Sequence, residues 1–138
     1  MMVIVDTCIG SMALRRHGDR DNREGKEVET LIRDSRVQML GPIRQEILSG
    51  VRDEKQFASL RAHLEAFPDL TIETDDYVMA ATFYNLCRSR GVQGSNTDFL
   101  ICSVSVRHHL AIYTKDGDFQ QFAAHLPIVL HREEASRP

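Results

Sequence analysis

These 138 residues contain no CxxC pair, no surplus of basic charge, no internal repeat and no apolar run near the ~20 residues that a membrane span needs. Each absence removes a class of protein. The three cysteines, Cys8, Cys87 and Cys102, stand apart among apolar neighbours, which suits small buried side chains in a reducing compartment and leaves no disulfide framework. Met1–Val5 is too short for a signal-peptide core and Asp6 follows at once, so a cytoplasmic protein without membrane attachment is expected. A formal net charge of -3 gives no basic field over the whole surface, so any nucleic-acid binding must use local patches or metal ions. None of the six histidines falls into an HxH or HExxH spacing, and the adjacent His108 and His109 would leave a helix on different faces, which makes zinc a poor fit.

What is present suits one domain over residues 1–138, since 42% hydrophobic content supports an ordinary core. Short runs rich in Val, Ile and Leu occur at Val3–Val5, Val37–Leu40, Leu70–Ile72, Ala111–Thr114 and Ile128–Leu130, with helical spacing between them. Phe57, Leu60, Leu64 and Phe67 share one helical face between Asp53 and Pro68, which suits the core or a dimer surface, the core being the expected one. Pro42 suits a first helical turn and Gly50 its end, a longer helix runs from about Asp76 to Arg90, and another starts near Thr97. The charged stretch Arg15–Gly25 reads as a loop between the first two helices. This βα alternation predicts an α/β fold, three layers α/β/α around a parallel sheet of about five strands with right-handed crossovers.

Open α/β sheets gather function beyond the carboxyl ends of their strands. Asp6 ends the first strand there, Asp116 ends another after "AIYTK", Asp98 opens a helix within "GSNTDFLI", and Glu46 lies one turn into the helix after the second strand. Each acid also has a plain structural role available. Asp98 is the third helical residue of an S-x-x-D capping box, Glu46 suits a solvated helix face, and Asp118 suits an N-cap for the short helix through Ala124. Asp6, directly after a buried strand, points more strongly to function. Were four carboxylates to lie within a few ångströms, each pair would repel by about 4 kcal/mol at an effective dielectric of about 20. Six such pairs would rival the ~5–15 kcal/mol that holds a domain together. A cation or protons must then intervene, and all-oxygen donors select Mg²⁺ or Mn²⁺.

On these residues the chain resembles the PIN-domain ribonucleases of the VapC toxin type, nearly over its whole length. The matching segments are "VIVDT", "PIRQEILSGVRD", "GSNTDFLICSVSV" and "IYTKDGDF". The resemblance implies a catalytic quartet of Asp6, Glu46, Asp98 and Asp116, with Asp6, Asp98, Asp116 and the auxiliary Asp118 around Mg²⁺ or Mn²⁺. Thr7, Asn96 and Thr114 become polar neighbours. Cys8 departs from the Asn that many relatives carry after D-T. It further implies endonucleolytic cleavage of RNA leaving a 5′-phosphate, a homodimer, and silencing by a cognate VapB-type antitoxin whose tail enters the acidic groove. No side-chain nucleophile is required for such chemistry.

Candidate substrate contacts are Arg15, Arg16, Arg20 and Arg23 in the charged stretch, Arg88 and Arg90 before the Gly-rich loop, and Lys115 beside the rim. Two rivals use similar parts. A phospho-accepting receiver module would employ Lys115 but wants paired acids after the first strand, and a haloacid-dehalogenase-type phosphatase wants an aspartate where Cys8 stands. A catalytically inactive interaction module of the PIN fold is the third.

Overall fold

The computed structural model describes residues 1–15 and 23–133, and of residues 12–15 the backbone alone. The elements run β1 (Val3–Val5), α1 (Thr7–Arg15), α2 (Arg23–Arg33), β2 (Val37–Gln38), α3 (Gly41–Leu48), α4 (Glu54–Leu64), α5 (Thr74–Ser89), α6 (Asn96–His108), β3 (Ala111–Tyr113), α7 (Asp118–Ala123) and β4 (Val129–Leu130). The four strands are parallel in the order β2-β1-β3-β4, with Val3 opposite both Val37 and Ala111. All carboxyl ends therefore meet at one rim.

Period-two alternation sends the strand side chains to two buried clusters. Val3, Val5, Ala111 and Tyr113 pack with Ile9 of α1 and with Val28 and Leu31 of α2. Ile4 and Ile112 face the larger cluster of Ile43, Ile47, Leu64, Phe99 and Phe122, drawn from α3, α4, α6 and α7. Helices thus cover both faces, as parallel sheets require.

The predicted fifth strand, Leu70–Ile72, is reduced to one parallel bridge between Met39 and Asp69. Pro68 has no N–H to extend that pairing, and the chain must begin α5 at Thr74. Arg44 holds the turn instead, with Nε on Asp69 Oδ1 at 3.0 Å, Nη1 on the Leu64 carbonyl at 3.0 Å, and Nη2 on the Phe67 carbonyl. Other boundaries also move. The stretch Arg15–Gly25 is not all loop, because α2 begins at Arg23. The α4 helix stops at Leu64, which leaves Phe67 on the turn after it, and Phe57 is 37% exposed while Leu60 and Leu64 are buried. Cys87 and Cys102 are buried as expected, whereas Cys8 is exposed because it leaves the first turn of α1 on the solvent side.

Candidate active site

Asp6 is held from both directions. Its amide donates to the Tyr113 carbonyl at 2.9 Å, continuing the β1–β3 ladder, and its carbonyl accepts from Gly10 at 2.9 Å, starting α1. The side chain is 8% exposed. Its Oδ1 accepts from the Thr7 amide at 2.8 Å and its Oδ2 from the Thr114 hydroxyl at 2.7 Å. Cys8 Sγ lies 3.7 Å from the same Oδ2; the residue is exposed as a whole, but its sulfur is partly desolvated beside Asp6, and this, followed by the Asp6 charge among the raising influences, pushes its thiol upward, so it stays protonated.

Two threonines carry this arrangement outward. Thr7 Oγ1 donates to Glu46 Oε2 at 3.0 Å, which ties the first turn of α1 to the exposed acid of α3. Thr114 Oγ1, while donating to Asp6, accepts from the Asp116 amide at 3.0 Å, so one hydroxyl fixes both strand-end acids. Asp116 Oδ1 in turn accepts from the Asp118 amide at 2.9 Å. Asp118 is therefore the first residue of α7, with Gly117 at the N-cap, and not the cap itself.

Asp98 reaches the rim from the start of α6. It forms a capping box, its Oδ2 accepting from the Ser95 amide at 3.2 Å and its own amide donating to Ser95 Oγ at 3.0 Å. Burial pushes this carboxyl above the usual range, the Ser95 bonds pull it back, and the charges of Asp116 and Asp6 push it up further. Asp6, Asp98 and Asp116 each give one oxygen to a backbone amide. Capping would account for any one of them alone. It does not account for two threonines that join three of the acids, nor for Asp98 sitting in the field of the other two.

Among the described residues no three His, Cys, Asp or Glu side chains stand close enough to enclose a cation. The donor set nevertheless fits a hard divalent ion of the Mg²⁺ kind, which takes one or two carboxylates and keeps its remaining positions for water and phosphate. A closed cage is not what such an ion needs.

The other candidates spread out. Asn96 lines a groove between α5 and α6 with Tyr84 and Leu100. Arg88 donates to Tyr84 Oη at 2.8 Å, and Arg90 stands 3.4 Å from His125 Nδ1. Arg16 and Arg20 lie outside the described residues, as does the side chain of Arg15. Lys115 is bound, with Nζ 2.8 Å from Glu24 and 3.4 Å from Glu133. A receiver-like role for this lysine would need it beside Asp6, and the two glutamates take it elsewhere. Glu133 also accepts from Tyr113 Oη at 2.6 Å and pairs with Arg23 at 2.8 Å, so α2, the end of β3 and the segment after β4 are joined. Sequence reasoning passed over Glu24 and Glu133, because only the pairing of β3 with β4 and the packing of α2 against the sheet bring residues 24, 115 and 133 to one rim.

Comparisons with known proteins agree on one family. The PIN domain family model matches residues 3–125. The VapC ribonuclease Mb1587 of Mycobacterium bovis is 30% identical over 126 residues, 88% of this chain and 92% of that protein. Ribonuclease VapC11 of Mycobacterium tuberculosis matches at the same identity and extent, 30% over 126 residues. Among solved structures, FitAcB from Neisseria gonorrhoeae superposes with a TM-score of 0.76 at 18% identity, over 96% of this chain and 98% of that one. VapBC2 from Rickettsia felis, bound to a DNA fragment from their promoter, gives 0.76 at 16%, over 95% and 98%. At these identities the solved structures attest the fold, a parallel sheet with helices on both faces.

Proposed function

This chain belongs to the PIN-domain family, with VapC ribonucleases among its relatives, and from that premise we propose that it is a metal-dependent endoribonuclease, the toxin of a toxin–antitoxin pair. One observation carries the reading. A continuous set of hydrogen bonds runs Glu46–Thr7–Asp6–Thr114–Asp116 across the ends of β1 and β3 and the second turn of α3, and so holds acids more than 100 residues apart in fixed relation. Thr114 and Asp6 are separated by 108 positions in sequence, and structural capping alone does not call for that link.

Asp6, Asp98 and Asp116 are the residues that would hold Mg²⁺ or Mn²⁺, one or two of them directly and the rest through its bound waters. Asp118 contributes the amide that orients Asp116. When bound, the ion would supply positive charge to offset the acids and the scissile phosphate, and would let water act as nucleophile near neutral pH. The chain's own part is orientation. Thr7 keeps the exposed Glu46 carboxylate turned toward Asp6, where it can align and deprotonate an attacking water. Thr114 prevents Asp6 and Asp116 from swinging apart under their mutual repulsion. The protein works as a single domain and a homodimer, with a VapB-type antitoxin closing the acidic rim.

The test is cleavage of a mixed RNA pool with Mg²⁺ or Mn²⁺, comparing the chain with Asp6→Asn and with an EDTA-treated sample. Cleavage by the unmodified chain alone, ending in 5′-phosphates, is the expected result. Equal cleavage by Asp6→Asn, or none by any sample, would overturn it.

A further inference from the structure

Just beyond β4, three polar residues meet different neighbours. His131 and Glu133 turn to α2, where His131 Nε2 sits 2.8 Å from Glu27 and Glu133 meets Arg23, Tyr113 and Lys115. Arg132, between them, is exposed. With Leu130, Lys115 and His131 it lines a cleft of about 570 Å³ whose other walls are Gln120 and Ala123 of α7 and Thr114 and Asp116 of the rim. That volume lies within the ~300–1,000 Å³ usual for a small-molecule seat.

Three features give the cleft its chemistry. It shares Thr114 and Asp116 with the acidic site, so a chain molecule that leaves the acids on the β4 side passes into it or over it. Arg132 is exposed and has no carboxylate partner among the described residues, while the neighbouring Lys115 and His131 are both held by glutamates. Gln120, on the exposed side of α7, presents both a donor and an acceptor. A cation free to meet phosphate, beside a neutral amide and next to the acids, matches one nucleotide unit.

We infer that this cleft is a nucleotide subsite for RNA, in which Arg132 binds the phosphate flanking the cleaved bond and Gln120 contacts the attached nucleoside. The inference rests on the ribonuclease reading and adds where the substrate leaves the acids. It crosses the β4 edge of the sheet. Lys115 has a different duty in it, as the internal tie that keeps the end of β3 against α2.

The experiment uses the full chain with Mg²⁺ and short RNAs trimmed one nucleotide at a time on either side of the cleaved bond, with the variants Arg132→Gln, Arg132→Lys and Gln120→Ala. Both positions are exposed, and unchanged melting curves verify the fold. The unmodified chain should show a KM step of roughly tenfold when the flanking nucleotide is removed from one side. Arg132→Gln should raise KM for the untrimmed RNA by about as much, abolish that step, keep kcat within about twofold, and lower the salt slope of binding by about one. Arg132→Lys should recover part of the affinity because it keeps the charge, and Gln120→Ala should shrink the step. If Arg132→Gln and Gln120→Ala respond to trimming as the unmodified chain does, the cleft is not the subsite although the ribonuclease reading stands. If the unmodified chain cleaves no RNA, that reading falls and takes the cleft with it.

Discussion

Thr114 shows how much one hydroxyl can organise. It donates to Asp6 and accepts from the Asp116 amide, so its removal frees two acids at once. Thr114→Val keeps the shape and loses both bonds, and if Asp6 and Asp116 hold the metal as proposed, kcat should fall by about 10–100-fold, the usual cost of losing a group that orients metal ligands. Thr114→Ser should restore most of it; equal activity in the valine variant would show that the acids hold their positions unaided. Gly94 is constrained by space. A Cβ there would stand 2.5 Å from Phe122 Cζ and 3.0 Å from Phe99 Cε2, both in the aromatic core. Gly94→Ala should therefore cost about 1–3 kcal/mol in denaturant unfolding. At this scale much was legible: Asp6, Asp98 and Asp116 stand out by their places after strands and at a helix start. Glu24 and Glu133 do not, because an acid in a helix or a tail carries no local sign of the lysine it will meet.

Elements here are stopped and joined by individual polar groups. Asp53 caps α4 by accepting from the Gln56 amide at 2.9 Å, and Asp53→Ala should lose about 1 kcal/mol, measurable as a lower melting temperature. The pairing of α5 with α6 depends on Asp76, whose side chain is wholly buried. It accepts from the Glu73 amide at 2.8 Å, from Arg107 at 2.6 Å and from His108 at 3.1 Å, while Ser103 Oγ donates to its carbonyl at 2.8 Å. Burial alone would raise this carboxyl, yet the Glu73 amide, then Arg107 and His108, outweigh it and set it below the usual carboxylate range. A carboxyl depressed in the folded state adds stability above its unfolded value, near pH 4, and loses that contribution as pH falls toward the folded value. Asp76→Ala should accordingly destabilise by about 3 kcal/mol at neutral pH and flatten the acid limb of the stability curve. A parallel shift at every pH would show that the charge of Asp76 is not what matters. Helix starts at Asp53 and Ser95 were readable because capping is local chemistry. The fifth strand was not, since Pro68 and the nearby start of α5 leave Leu70–Ile72 no length to pair.

Across the whole molecule, one topological fact makes the candidate site. Four parallel strands put every carboxyl end at one rim, and residues 6, 46, 98, 116 and 133 all arrive there from different parts of the chain. Hydrophobic periodicity and helix punctuation in the sequence by themselves determined the α/β class, most helix boundaries and the candidacy of the strand-end acids, since each depends on neighbours a few positions away. Tertiary structure alone decided which acids share a threonine, that Lys115 is tied to Glu24 and Glu133, and that Arg132 lies over the cleft. Those are contacts between segments distant in sequence, and their register is set only when the strands pair.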